Sequence, residues 1–279
     1  MDSPILSGRT AVITGASRGI GAAIARALAE AGANVVLFAK SSAASPGRLP
    51  GSVDEVAARI REAGGQAMAY AGDLRSDDDV ESVVAAAVAE FGGLDIVVNN
   101  AAAFDTTPTA GISMKRYDLL HQINTRGAFA LTRAALPHLQ QSDHAHVLTI
   151  SPPLTLEPRW LGAHTAYTTA KYAMSLMTLG LAAEFAESPI AANSLWPSAS
   201  VATEAIRTIL GEEVADSHSR SPRVMADAAL RIVTRDPRSF TGRLVTDEQV
   251  LSEVGVDLSG YLLGGAESDL SPSWFLPEA

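Results

Sequence analysis

Tyr167 and Lys171, in the stretch AYTTAK, stand four residues apart, so on a helix their side chains share one face. A free phenol ionises at about pH 10 and is a poor proton shuttle near neutrality. A neighbouring ammonium favours the phenolate and draws that value toward the working range, which makes the two a candidate general acid–base pair. Taken alone, the spacing also fits an amphipathic helix with an incidental pair. A second hydroxyl raises a similar question. Ser151 ends the apolar run 146–150 and is followed at once by Pro152 and Pro153. Proline lacks an N–H and fixes φ, so it closes a strand. Ser151 is therefore either a reacting hydroxyl at a strand tip or the last polar residue before a loop.

Near the N-terminus, TGASRGIG runs from Thr14 to Gly21 directly after the β-branched run TAVIT. Gly15, Gly19 and Gly21 permit a tight turn, a close backbone approach to a pyrophosphate and close helix packing. Ser17, Arg18 and Ile20 are the other candidate cofactor-binding residues of the turn. The helix that follows would aim its N-terminus at the phosphates. At the end of the next strand, where a carboxylate would bind the 2′-OH of NAD, stand Ala39, Lys40 and Ser41. With Arg18 as a second cation, this favours the 2′-phosphate of NADP(H); the other reading of Lys40 is a solvated surface lysine. Asp73, in AGDL, is expected beside the adenine or as a cap for the next helix. Asn99 and Asn100, in VVNNAA, can tie their loop to the first one through amide hydrogen bonds.

Those side chains need a frame, and the chain supplies one. Strand-like runs at 10–14, 34–39, 66–71, 94–99, 146–151, 190–196 and 243–246 alternate with helical stretches at 19–31, 52–63, 76–91, 113–139 and 167–186. Ser52 with Glu55 fits a capping box, and Ser76 with Asp79 is cap-like. Asp77 to Asp79 suit a helix start. Repeated β-α units imply a parallel sheet with helices on both faces. Residues 41–51 read as a loop. Beyond Trp196 the rhythm weakens, with helical pieces near 203–210 and 224–234. The tail 251–279 has no clear period and is expected to wrap the surface or a partner subunit. One domain spanning 1–279 accommodates all of this.

The chain of 279 residues carries 21 basic and 31 acidic side chains, a net charge of −10, which argues against non-specific nucleic-acid or anionic-membrane binding. Without cysteine there is no disulfide, thiolate or Cys-ligated zinc. The six histidines are scattered; only His144 and His146 lie close, without a carboxylate cluster, so no metal site is expected. MDSPILSGRT lacks the pattern of a secretory signal, FLPEA matches no targeting signal, and no apolar stretch is long enough to span a bilayer. A cytoplasmic location is the resulting expectation.

TGASRGIG, then NNAA, then Asn124 in HQINTRG, then YTTAK, in this order, resemble the short-chain dehydrogenase/reductase family over essentially the whole chain. The resemblance implies a single α/β domain of Rossmann type, doubly wound, with a mostly parallel seven-stranded sheet. It also implies a nicotinamide cofactor and hydride transfer between it and an alcohol or carbonyl. Tyr167 would be the acid/base, Lys171 would hold the nicotinamide ribose and tune Tyr167, and Asn124 would anchor a water relay. A homodimer or homotetramer packed through long helices is implied too. The stretches FAKS, ISPPLTLEPRW, AYTTAKYAMS, NSLWP and SFTGRLVTDE look like the branch of hydroxysteroid dehydrogenase-like protein 2 and the bacterial citronellol/citronellal dehydrogenases. Some members of that branch carry a C-terminal sterol-carrier domain, which is not expected here.

The family's usual serine falls at the spacing that Leu154 occupies, and the paired serine's place holds Pro152. Ser151 replaces it only if the loop brings it in; a hydroxyl bonded to backbone is the other reading, and Thr155 and His164 are weaker substitutes. Trp160 and Trp196, expected near the carboxyl ends of strands, could line an apolar pocket, pack in the core or contact another subunit. The reading that follows is an NADP(H)-dependent oxidoreductase acting on an apolar alcohol or carbonyl of steroid, terpenoid or fatty acyl type. The alternative is a low-activity nucleotide-binding sensor or scaffold of the same fold.

Overall fold

The computed structural model describes residues 4–276, so the readings made on residues 1–3 and 277–279 at the two termini lie outside the described residues. Among them the strands β1 (Thr10–Thr14), β2 (Asn34–Ala39), β3 (Gln66–Ala71), β4 (Ile96–Asn99), β5 (Ala145–Ile150), β6 (Ile190–Trp196) and β7 (Leu244–Thr246) form one sheet. Its order is β3-β2-β1-β4-β5-β6-β7, and every pairing is parallel. The order reverses between β1 and β4, which opens a crevice at the carboxyl ends of those strands.

Parallel strands need crossovers, and the helices supply them. They are α1 (Gly19–Glu30), α2 (Val53–Glu62), α3 (Asp77–Phe91), α4 (Met114–Leu120), α5 (Ala128–Leu139), α6 (Pro158–Ala163) and α7 (Thr165–Glu184). After β6 come α8 (Glu204–Leu210), α9 (Glu212–Ser217), α10 (Arg223–Val233) and α11 (Asp247–Ser252). Period-2 alternation divides the strand side chains between two cores. Ile13, Val35, Leu37, Ile96 and Val98 meet α1, α2 and α10, whereas Val12, Val36, Phe38 and Val97 meet α3 and α5. With helices on both faces the central strands are buried end to end, which is why they read as unbroken β-branched runs. Each Val, Leu or Ile so buried contributes about 1.5–3 kcal/mol.

Local chemistry sets the element ends. Ser52 and Ser76 cap α2 and α3 by accepting from the N–H groups of Glu55 and Asp79, at 3.2 Å each. Only the Ser52 half of the expected box forms, with no return bond from Glu55 among the described residues. β4 begins two residues later than expected because Asp95 serves as a tie: its carboxylate accepts from Thr10 N at 2.8 Å and from Ser142 Oγ at 2.6 Å. The helical stretch expected over 113–139 is interrupted by a π-helical turn, His121–Gly127, between α4 and α5. The tail differs most from expectation. Leu251 lies within α11, short 3₁₀ turns follow at Leu258–Tyr261 and Glu267–Asp269, and residues 271–276 return to the carboxyl edge of the sheet. No helix among the described residues is long and apolar enough to cross a membrane. No three His, Asp or Glu side chains among them cluster to hold a metal ion.

Candidate active site

The first turn is built on Thr14. Its buried Oγ1 donates to Val98 O at 3.2 Å and accepts from the N–H groups of Asn100 and Ala101 at 2.9 and 3.0 Å. Asn100 Nδ2 then donates to Thr14 O at 2.8 Å. The tips of β1 and β4 are thereby locked together, as expected of Asn100. Asn99 departs from expectation: its Nδ2 donates to Thr132 Oγ1 on α5 at 3.0 Å. The lock explains the glycines. A Cβ at Gly21 would lie 2.6 Å from Gly15 O and closer still to Asn100 Nδ2, and Gly15 has φ +65°.

From this turn a cavity of about 750 Å³ runs along the carboxyl edge of the sheet. Gly15, Ser17, Arg18, Gly19, Ile20, Gly21, Lys40, Asp73, Asn100 and Lys171, all expected to bind the cofactor, line it, and so does Tyr167. Asn124 and Ser151 do not. The donor set fits a dinucleotide: a glycine turn with no room for a Cβ, a helix N-terminus beside it, and cations at the end of β2.

At that end, Arg18 donates to Pro50 O, Leu49 O and Gly51 O at 2.8–3.0 Å and to Ser41 Oγ at 3.0 Å. It therefore organises the loop over 41–51 and has no carboxylate partner among the described residues. Lys40 is 61% exposed and pairs with Asp73 at 3.2 Å. Arg75 also holds Asp73, at 2.5 Å, and with Lys40 it keeps that carboxyl well below the usual range. Asp73 is thus the counter-ion of two cations at the edge of the cavity.

At the other end, α7 fastens the loop that follows β5. Thr168 Oγ1 donates to Trp160 O at 2.9 Å, Lys171 Nζ to Ile150 O at 2.5 Å, Tyr172 Oη to Thr155 O at 2.9 Å, and Ser175 Oγ to Pro152 O at 2.6 Å. One helix face thus satisfies four carbonyls between Ile150 and Trp160. Tyr167 and Lys171 are both buried on this face. Lys171 Nζ also lies 5.1 Å above the ring of Trp196. Burial pushes the Tyr167 phenol above its ordinary value and the Lys171 ammonium down to about 7. The expected lowering of the phenol by Lys171 does not arise from these residues alone. Desolvation dominates, and the ammonium is turned to Ile150.

Ser151 is fully buried, its N–H closes onto Thr149 O at 3.0 Å, and its Oγ has no partner among the described residues. Ile150, not Ser151, faces the cavity. Of the weaker substitutes, Thr155 Oγ1 accepts from Glu157 N at 3.3 Å, and His164 is bonded through Nδ1 to Thr106 O at 2.9 Å. Asn124 clasps the backbone of one residue: Oδ1 accepts from Ala103 N at 2.6 Å and Nδ2 donates to Ala103 O at 3.0 Å. The π-helical turn carries this buried side chain, which fixes the loop after β4.

Sequence reasoning missed Phe104, Thr203, Glu204 and Trp274, which all line the cavity. Trp196 does so as well, but Trp160 turns away to donate from Nε1 to Leu276 O at 2.9 Å. The only signal for Phe104 was its place just after NNAA. Trp274 gave none, because the tail has no period.

A doubly wound parallel sheet with a glycine turn at its switch point, and a buried Tyr–Lys pair in the same cleft, defines a dinucleotide-binding α/β protein. The description "short chain dehydrogenase" matches residues 9–213. The chain is 44% identical to hydroxysteroid dehydrogenase-like protein 2 of Xenopus laevis over 98% of its own length and 65% of the relative's. It thus spans about two-thirds of the length of that longer relative. Among solved structures it is similar to a putative dehydrogenase from Xanthomonas campestris, with 46% identity and a TM-score of 0.90 over 98% of this chain and 99% of that one. A metagenomic short-chain oxidoreductase in complex with NADP is 29% identical, with a TM-score of 0.71 over 87% of this chain and 98% of that one. The chain belongs to the short-chain dehydrogenase family, oxidoreductases that act on CH–OH groups of small molecules with a nicotinamide cofactor.

Proposed function

We propose that this chain is an NADP(H)-dependent oxidoreductase of a single domain, acting on an apolar alcohol or carbonyl of steroid, terpenoid or fatty acyl type. The observation that carries the reading is the placement of Tyr167 and Lys171, one helical turn apart on α7, in the cavity that starts at the glycine turn. When bound, the nicotinamide supplies or accepts the hydride. Tyr167 Oη gives its proton to the carbonyl oxygen in the reducing direction and takes the hydroxyl proton in the oxidising one. Burial favours the neutral phenol, which suits it as a proton donor. Lys171 stands in the same wall, one turn from the phenol, and holds the tip of β5 in place. Asn124 acts as a positioning residue through Ala103. Ser151 has a structural role in this proposal, because its hydroxyl lies outside the cavity lining.

Gly15, Gly19 and Gly21, with Ser17, Ile20 and Asn100, would hold the pyrophosphate end, and Lys171 the nicotinamide ribose. Lys40 and Arg18, with no carboxylate at the end of β2, support NADP(H) over NAD(H), and the metagenomic relative bound to NADP agrees with that choice. Asp73 would lie near the adenine. A homodimer or homotetramer in the cytoplasm completes the proposal, in line with a family that is often oligomeric. The test is titration with NADPH and NADH, followed by a panel of lipophilic aldehydes and ketones. The proposal expects NADPH to bind tighter and turnover to vanish in Tyr167→Phe. The burial of Ser151 favours one second reading, a nucleotide-binding sensor of low activity. Tight NADPH binding with no turnover across the panel would decide for it.

A further inference from the structure

We infer that Trp274, presented by the chain's own returning segment 271–276, is a specificity-determining wall that limits how bulky an apolar substrate can be beside Tyr167. This rests on the acid–base reading of Tyr167. The segment is anchored from both sides. Ser200 N donates to Ser271 O at 2.8 Å and Ser273 N to Ser198 O at 3.1 Å, while Ala199 and Pro272 form an antiparallel bridge. The indole N–H of Trp196 donates to Trp274 O at 2.8 Å, and that of Trp160 to Leu276 O at 2.9 Å.

Between these ties Phe275 adopts φ +67°, the left-handed region that a residue with a Cβ avoids. Its ring compensates by packing at 5.5–6.1 Å, centroid to centroid, from Trp160, Tyr167, Tyr172 and Trp196. It is 1% exposed. The reversal at Phe275 turns the preceding side chain the other way, into the cavity. There Trp274 stacks on His164 at 4.8 Å, lies against Phe104 at 5.8 Å and meets Tyr167 edge-on at 6.5 Å. Phe104, 46% exposed, adds its own edge-on contact with Tyr167 at 5.1 Å. The phenol therefore sits beneath an apolar corner made of two rings. A slender chain or flat ring can lie along such a corner, whereas a branched or fused-ring group next to the carbonyl would meet the indole.

The experiment compares a straight-chain aliphatic aldehyde with an aldehyde bearing a fused-ring substituent, in wild type, Trp274→Ala and Trp274→Phe. The ratio of kcat/KM values, fused-ring over straight-chain, is expected to rise at least about tenfold in Trp274→Ala. Trp274→Phe, which keeps a ring, should stay within about threefold of wild type, and NADPH affinity should hold within about twofold in both. An unchanged ratio in a Trp274→Ala protein that binds NADPH normally would overturn the inference. A readout without turnover separates this failure from failure of the acid–base reading. A straight-chain carboxamide added to the NADPH complex should quench wild-type tryptophan fluorescence, with most of the quenching lost in Trp274→Phe. Equal quenching in both proteins, or none in wild type, would count against Trp274 whatever Tyr167→Phe does.

Discussion

Lys171 Nζ donates to the carbonyl oxygen of Ile150 at 2.5 Å, so the buried ammonium of α7 is tied to the last residue of β5, and no hydrogen bond joins it to Tyr167. The lysine therefore has two tasks. It closes the sheet edge mechanically, and it places an amine in the cavity wall one turn from the phenol. Its burial, with no carboxylate partner among the described residues, makes the first task pH-dependent.

Burial holds Lys171 down to about 7 in the folded chain, against 10.5 for the free side chain. Between those values the unfolded state keeps the proton and the native state has released it, so stability rises with pH across that window. From pH 7 to 9 the gain attributable to Lys171 should be about 2 kcal/mol. Denaturant unfolding at both pH values should show that increment in wild type and lose it in Lys171→Met.

The Asn124 clasp on Ala103 predicts a structural phenotype. Asn124→Ala leaves the Ala103 N–H and C=O without their partners and should cost about 1–3 kcal/mol. Because Phe104 follows directly, the loosened loop should also raise KM for the carbonyl while leaving NADPH affinity near wild type. Chemical denaturation and steady-state kinetics on the same preparation would measure both.

In the glycine turn, Gly21→Ala would drive a methyl group into the backbone of Gly15 and the amide of Asn100. The β1–β4 lock would have to open, at about 1–3 kcal/mol. NADPH affinity should fall at least about tenfold. Calorimetric titration checks this, and an unaltered affinity would argue against a pyrophosphate at this turn.

The end of β2 predicts cofactor choice. Lys40→Glu should weaken NADPH binding about five- to tenfold and leave NADH binding close to unchanged. Arg18→Ala should weaken both, since Arg18 also holds the carbonyls of Leu49, Pro50 and Gly51. Equal losses for the two cofactors in Lys40→Glu would remove the argument for a 2′-phosphate site.

Several strands and the glycine turn were legible because their signals are local. TAVIT, NVVLFA and IAANSLW are β-branched or apolar runs of strand length, and the turn residues follow one of them directly. The Tyr–Lys pair was legible because four residues make one helical turn. What escaped depends on distant partners. The π-helical turn at HQINTRG is a backbone feature inside a helical stretch, and it carries Asn124, whose partner Ala103 lies 21 residues earlier in the chain. Ser151 reads as a strand-tip hydroxyl, yet its place is set by two side chains of α7, Lys171 and Ser175, that hold the carbonyls of Ile150 and Pro152 on either side of it. The tail carries no period because long-range backbone bonds and ring packing, not a repeating face, return it to the sheet.

In the proposed reaction Tyr167 is the group that moves the proton. The most direct test is single-turnover reduction of a lipophilic aldehyde by NADPH in wild type and Tyr167→Phe, with NADPH affinity measured in parallel. Tyr167→Phe is expected to bind NADPH within about twofold of wild type and to lose at least about a thousandfold in rate. A Tyr167→Phe protein that reduces the aldehyde at close to the wild-type rate would contradict the assignment.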